Sequence, residues 1–207
     1  MNISSITTDN LVHWANAMRQ LSDSERTRFL ESMWSGQLES KAWISNILNR
    51  LELLRPNIYI FGGWTGILAN ILLQYPIVYK IRSIDIDPWC ERVADNVNKI
   101  HEMNDWRFKA VTDDMATYKY QSDIYPEIVI NTSSEHVTQE QYDLWYNNIP
   151  VGTIIVVQGN DYFKCEEHIR CSTNLMEFEM MNRVSNPIYR GILPTDMYIR
   201  FMSIWKK

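Results

Sequence analysis

Apolar residues near the start of the chain recur at three- and four-residue steps, Leu11, Trp14, Met18 and Leu21, which predicts an amphipathic helix. Ser22-Asp23-Ser24-Glu25 reads as a capping box opening a second helix through Phe29, Leu30 and Met33. A third stripe, Ile44, Ile47, Leu48, Leu51 and Leu54, runs up to Pro56, where the missing N–H ends the hydrogen-bond ladder. Trp14, Trp34 and Trp43, at helical positions, are read as core.

From Asn57 the period changes. Ile58 to Phe61, Val78 to Ile86, Phe108 to Val111, Glu127 to Ile130 and Thr153 to Val157 are short β-rich runs. Helical stretches stand between them: Ile67 to Leu73, Pro88 to about Ile100, and Gln139 to Asn148, with another near Ser172 to Phe178. Alternating strands and helices with nearly continuous apolar strands predict a parallel sheet buried on both faces, a doubly wound α/β fold. Ile188 to Leu193 and Met197 to Trp205 are joined by the short Pro194-Thr195-Asp196 turn, which fits only an antiparallel hairpin. The chain therefore divides into a helical cap, 1–56, and an α/β domain, 57–207.

Composition narrows the function. The 207 residues are 45% hydrophobic and 22% charged, enough for a full core, and no run approaches the length of a membrane span. A net charge of -5 disfavours a general basic surface for long nucleic acid and leaves a small molecule or peptide as the expected partner. Three cysteines and no leader-like start suggest a reducing, cytoplasmic setting.

Open α/β sheets bind ligands beyond the carboxyl ends of their strands, so those positions carry the candidates. After the first strand comes Gly62-Gly63-Trp64-Thr65-Gly66, a turn that lets a ligand approach the backbone near a helix N-terminus. After the second comes Asp85-Ile86-Asp87-Pro88; Asp87 reads as an N-cap, whereas Asp85, 19 residues past Gly66 (85 − 66), stands where an acidic residue accepts ribose hydroxyls. Asp113 and Asp114 follow the third strand, one for an adenine amino group and the other for a cap, with the order open. Asn131-Thr132-Ser133-Ser134-Glu135-His136 follows the fourth, a polar run directly behind an apolar strand, and His136 offers an imidazole as a candidate general base.

These motifs, in this order and with the closing hairpin, resemble the class I S-adenosylmethionine-dependent methyltransferases. The resemblance covers about Asn57 to Lys207 and implies a Rossmann-like, mostly parallel seven-stranded sheet whose last strand is antiparallel, preceded here by the helical cap. It implies S-adenosylmethionine as cofactor. Gly62, Gly63, Trp64 and Gly66 would lie along its methionine part, Asp85 at the ribose, Ile86 with Asp113 or Asp114 at the adenine, and Asn131 at the methyl-transfer face. His136, Glu135 and Asn131 form the expected catalytic set for transfer to an oxygen or nitrogen nucleophile, with a catalytically inactive binding module or partner subunit as the alternative. Trp64 stands where the family has its middle glycine, and the acidic position before the turn holds Tyr59 or Phe61. Glu135-His136 is also similar to the Glu-His of quinone-biosynthesis O-methyltransferases and small-RNA 3′-end methyltransferases, which can hold a divalent metal. The further glutamate of the latter is Thr132 here, so no metal is expected, with His168 as a distant second ligand. Cys165, His168 and Cys171 supply three ligands at a spacing that fits no common zinc site and read as loop residues.

Overall fold

Three helices precede the sheet in the computed structural model, which describes residues 6–51, 53–75, 78–102, 106–121 and 124–207. They are α1 (Thr8–Met18), α2 (Asp23–Glu31) and α3 (Ser35–Leu48). The expected capping box forms: Glu25 Oε2 accepts the Ser22 N–H at 2.9 Å. Glu25 also takes the Trp89 indole N–H at 3.1 Å and pairs with Arg92, so it ties this helix to a later one.

The buried helical faces are narrower than the apolar stripes. Leu11, Leu30 and Trp34 are exposed, because the buried faces run through Trp14 and Ala17 in α1 and through Phe29 in α2, and Trp34 is the N-cap of α3. Leu54, the end of the third stripe, is 95% exposed, since α3 closes at Asn49 and the chain past it packs on the core through Leu51 and Leu53 instead.

The α/β part follows as β1 (Asn57–Phe61), α4 (Ile67–Leu72), β2 (Lys80–Asp85), α5 (Pro88–Val97), α6 (Lys99–Glu102), β3 (Phe108–Thr112) and β4 (Ile128–Asn131). After a 3-10 turn at Ser134–His136 come α7 (Gln139–Asn148), β5 (Ile154–Asn160), α8 (Leu175–Met181), β6 (Tyr189–Pro194) and β7 (Ile199–Lys206). The one long helix expected from Pro88 is interrupted at Asn98, whose amide donates to Gly66 O at 3.0 Å and Ala94 O at 2.9 Å.

The sheet has seven strands in the order β3-β2-β1-β4-β5-β7-β6, with β7 antiparallel to both neighbours. Strand order reverses between β1 and β4, which lie side by side with Phe61 opposite Asn131. That is the topological switch point, where the carboxyl ends part and leave a crevice. Alternation along β1 sends Ile58 and Ile60 into one core with Ile81, Ile128 and Ile130, and Tyr59 and Phe61 into another with Ile84 and Val129. Among the described residues between β3 and β4 there is no helix; Tyr118 and Tyr120 pack edge-on against Tyr59 and Phe61 instead.

The N-terminal helices share these cores. Trp14, Ala17, Leu21 and Phe29 cluster with Ile67, Ile71, Val93 and Val97 of α4 and α5, and Ile44, Ile47 and Leu48 of α3 join the core beneath β1. This seating brings α2 and α3 against the switch point.

Candidate active site

A cleft of about 1010 Å³ opens at the switch point. Gly62 and Trp64 of the turn after β1, Asp85 and Ile86 after β2, Asp113 and Asp114 after β3, and His136 after β4 all line it. Four separate strand ends therefore converge, as the sequence motifs predict. One wall comes from α2, through Ser24, Thr27, Arg28 and Glu31.

The turn after β1 is packed from behind. Gly62 and Gly66 have φ of +66° and +73°, values that favour glycine, and a Cβ on Gly66 would stand 2.8 Å from the Ala94 methyl. Gly63 backs onto Ser83. Gly63 and Gly66 are thus outside the cleft lining and shape the turn, while Gly62 and Trp64 face the cleft. Trp64 itself has φ +49°, so this bulky residue adopts a left-handed conformation that a glycine would take without strain.

Asp85 holds this geometry together. Its Oδ2 accepts the Trp64 N–H at 2.9 Å and its Oδ1 accepts the Asp87 N–H at 3.2 Å. A carboxylate has about four lone-pair positions, so both oxygens retain capacity for a ligand hydroxyl. Asp87 caps α5 through the Trp89 N–H at 2.9 Å and meets Arg28 of α2 at 2.5 Å. Burial opposes its charge, but the Trp89 amide and Arg28 outweigh that and hold its carboxyl below the ordinary value. Asp114 accepts the Ala116 N–H at 2.9 Å and so supplies the local cap. Asp113, whose Oδ1 accepts the Asp114 N–H at 2.8 Å, is the more exposed of the pair. Ile86 is 72% exposed at the cleft rim.

Behind β4 the candidates separate. Asn131 is fully buried; its Oδ1 accepts the Ser133 N–H at 2.9 Å and it does not line the cleft, so it shapes the loop. Glu135 is buried too, with Oε1 accepting Asn160 Nδ2 at 2.6 Å and Arg200 Nη1 at 3.2 Å. Its Oε2 is buried without a hydrogen-bond partner among the described residues. His136 lies edge to face with His168 at 4.6 Å between ring centroids, and the His168 Nδ1 is 3.2 Å from Tyr162 O. One ligand atom from each of Glu135, His136 and His168 falls within 4.8 Å of the others. Burial, partly offset by Glu135, keeps the His168 pKa below its ordinary value. The cysteines stay apart from this group: Cys165 lines the cleft, and the buried Cys171 sulfur contacts Asn160 Oδ1 at 3.3 Å.

Sequence reading missed Arg200, Arg170 and Lys41. Burial works against the Arg200 charge, but Glu135 and Tyr198 hold its pKa above the ordinary value. Arg170 fixes the loop after β4 by bonds to Ser134 O, Asn182 Oδ1 and Met181 O, and stacks over Tyr142 at 4.0 Å. For Arg200 the available signal was a lone arginine inside the apolar run Met197 to Trp205. Lys41 lines a smaller pocket of about 80 Å³ beside the cleft, with Gln37, Gly63, Thr132, Glu135 and Arg200.

Structural comparison decides what the sheet is. N-methyltransferase NodS from Bradyrhizobium japonicum WM9, in complex with S-adenosyl-l-homocysteine, superposes with a TM-score of 0.68 over 94% of this chain and 98% of its own, at 10% identity. The chain has the methyltransferase fold. Magnesium protoporphyrin IX methyltransferase (ChlM) from Synechocystis PCC 6803 with bound SAH shares the methyltransferase fold at a TM-score of 0.64 and 11% identity, covering 95% of this chain and 93% of that one. The methyltransferase domain of bacterial CtHen1-C does so at 0.61 and 13%, covering 81% and 96%. No family model matches the sequence, and neither does any curated protein. Within the methyltransferase fold, the cleft lies at the switch point between β1 and β4. Among the described residues no helix is long and apolar enough to cross a membrane.

Proposed function

We propose that the chain is an S-adenosylmethionine-dependent methyltransferase that transfers a methyl group to an oxygen or nitrogen nucleophile of a small molecule or peptide. The observation that carries this reading is the convergence of Gly62, Trp64, Asp85, Ile86 and Asp113 with His136 on one cleft of the methyltransferase fold. The cleft is large enough for a nucleoside cofactor, and Asp85 keeps acceptor capacity for a ribose. In this reading adenine lies against Ile86 and Met115 of the cleft lining, with Asp113 at its amino group while Asp114 caps the turn. When bound, the cofactor supplies an electrophilic methyl on sulfonium. The protein orients the acceptor, keeps water out beneath α2 and α3, and removes the acceptor proton at His136.

Glu135, His136 and His168 also fit a divalent cation, because their donor atoms cluster and Glu135 Oε2 has no hydrogen-bond partner among the described residues. Bound there, it would polarise an acceptor oxygen, with His136 then serving as a ligand in place of its role as base. Titration with manganese alone tests this part separately.

Three free thiols favour a cytoplasmic setting. The 1–56 segment is the cap of this site. A catalytically inactive module is the second reading, favoured by Trp64 at φ +49°.

The test is calorimetry with S-adenosylmethionine and S-adenosylhomocysteine, followed by an acceptor screen with methyl-labelled cofactor. Micromolar binding with His136-dependent transfer supports the enzyme. Binding without transfer to any small-molecule or peptide acceptor supports the inactive module, and no binding ends both cofactor readings.

A further inference from the structure

We infer that Lys41 of α3 anchors the α-carboxylate of the cofactor's methionine arm, an assignment that rests on the cofactor reading above. Lys41 is a buried basic side chain without a carboxylate within ion-pair distance among the described residues. Its Nζ donates to Ser32 O and Gln37 O at 3.4 Å and to Gln37 Oε1 at 3.1 Å, all uncharged acceptors. A buried charge without a counter-ion is unfavourable, so the position favours an arriving anion.

The surrounding groups sharpen this. From the loop after β4 the pocket receives Glu135 and His136, from the loop after β5 His168, and from β7 Arg200. Glu135 Oε1 already takes Arg200 and Asn160, and burial together with Arg200 pushes the Lys41 amine down to about 7. Two basic side chains therefore face one carboxylate in a pocket of about 80 Å³, room for a carboxylate group.

Position identifies whose carboxylate it is. The pocket and the cleft share Gln37, Gly62, Trp64, Ser133, His136 and His168, so they adjoin across the turn after β1. A nucleoside with its ribose at Asp85 and its side arm laid over Gly62 carries its far end towards α3. In S-adenosylmethionine that far end holds the only carboxylate.

The test compares S-adenosylhomocysteine with 5′-methylthioadenosine, which keeps the adenosine and the sulfur and lacks the amino-acid end. Lys41→Met retains the length of the side chain and leaves no charge unpaired, so folding is expected to survive. The expected result is a rise in the dissociation constant for S-adenosylhomocysteine of about tenfold or more, with methylthioadenosine affinity unchanged. Lys41→Arg should recover part of the loss. Equal losses for both ligands, or no loss for either, would overturn the assignment; the latter would place the anion on the acceptor. If the unaltered chain binds neither nucleoside, the cofactor reading itself fails.

Discussion

Asp85 Oδ2 accepts the backbone N–H of Trp64 at 2.9 Å, so the residue expected at the ribose also clamps the turn after β1. Its other oxygen does the same for the amide of Asp87. Replacing Asp85 by Ala leaves two partly buried N–H groups without acceptors, which costs about 1–3 kcal/mol for a buried group and less where water reaches it. Asp85→Ala is therefore expected to lower the melting temperature as well as S-adenosylhomocysteine affinity. Asp85→Asn should keep one of the two amide contacts through its remaining carbonyl oxygen and so separate the effects in part. An Asn variant that binds as tightly as the unaltered chain would remove the carboxylate from the ribose site.

The fold was legible because its signals are local and periodic. Ile58 to Phe61 and Ile128 to Ile130 are apolar on both faces, and Asp87-Pro88 opens α5 as an N-cap with proline at N1 should. The strand-end motifs were legible for the same reason, since topology alone brings them to one crevice. What stayed hidden depends on partners far along the chain. Lys41 reads as one polar residue in a helix until Arg200, 159 positions later (200 − 41), arrives from β7. The resemblance places Asn131 at the methyl-transfer face, whereas its side chain is fully buried with Oδ1 on the Ser133 amide, a contact no sequence pattern signals.

Gly66 offers a test of the turn by itself. Its φ of +73° and the Ala94 methyl, 2.8 Å from where a Cβ would stand, leave no room for a side chain. Left-handed backbone costs a residue with a Cβ about 1–2 kcal/mol, and overpacking commonly adds about 1–3 kcal/mol. Gly66→Ala should move the urea midpoint down accordingly, with the slope unchanged. Gly152 has φ +92° and only Lys206 Cε nearby, at 3.9 Å, so Gly152→Ala reports strain without crowding and should cost less.

Glu135 and Arg200 form the one ion pair among the described residues in which both side chains are buried, each 3% exposed. Removing one partner of such a pair is typically worth about 3–5 kcal/mol, because the other charge remains in the interior. Glu135→Ala is expected to destabilise strongly, and Glu135→Ala with Arg200→Met less than the sum of the two single changes. A double-mutant cycle by urea unfolding measures the difference; strict additivity would show that the pair does not interact.

The pH dependence of stability should carry the mark of His101. Its Nε2 is buried without a hydrogen-bond partner among the described residues, and its ring meets His13 edge-on at 6.1 Å. Burial first, then Arg107 and His13, push its pKa down to about 4. The unfolded chain protonates this imidazole near its ordinary value of about 6.5, so between about pH 6.5 and 4 the unfolded state binds a proton that the folded state refuses. Stability contributed by neutral His101 is present above that window and is lost as pH falls through it. Carboxylates act lower: Glu25, held down to about 2 by the Ser22 amide and hydroxyl, costs stability only once its unfolded form protonates near 4.5. Urea unfolding at several pH values in the upper part of the His101 window should therefore show a slope that His101→Gln flattens. An identical slope in that variant would mean that the imidazole is already solvated in the folded chain.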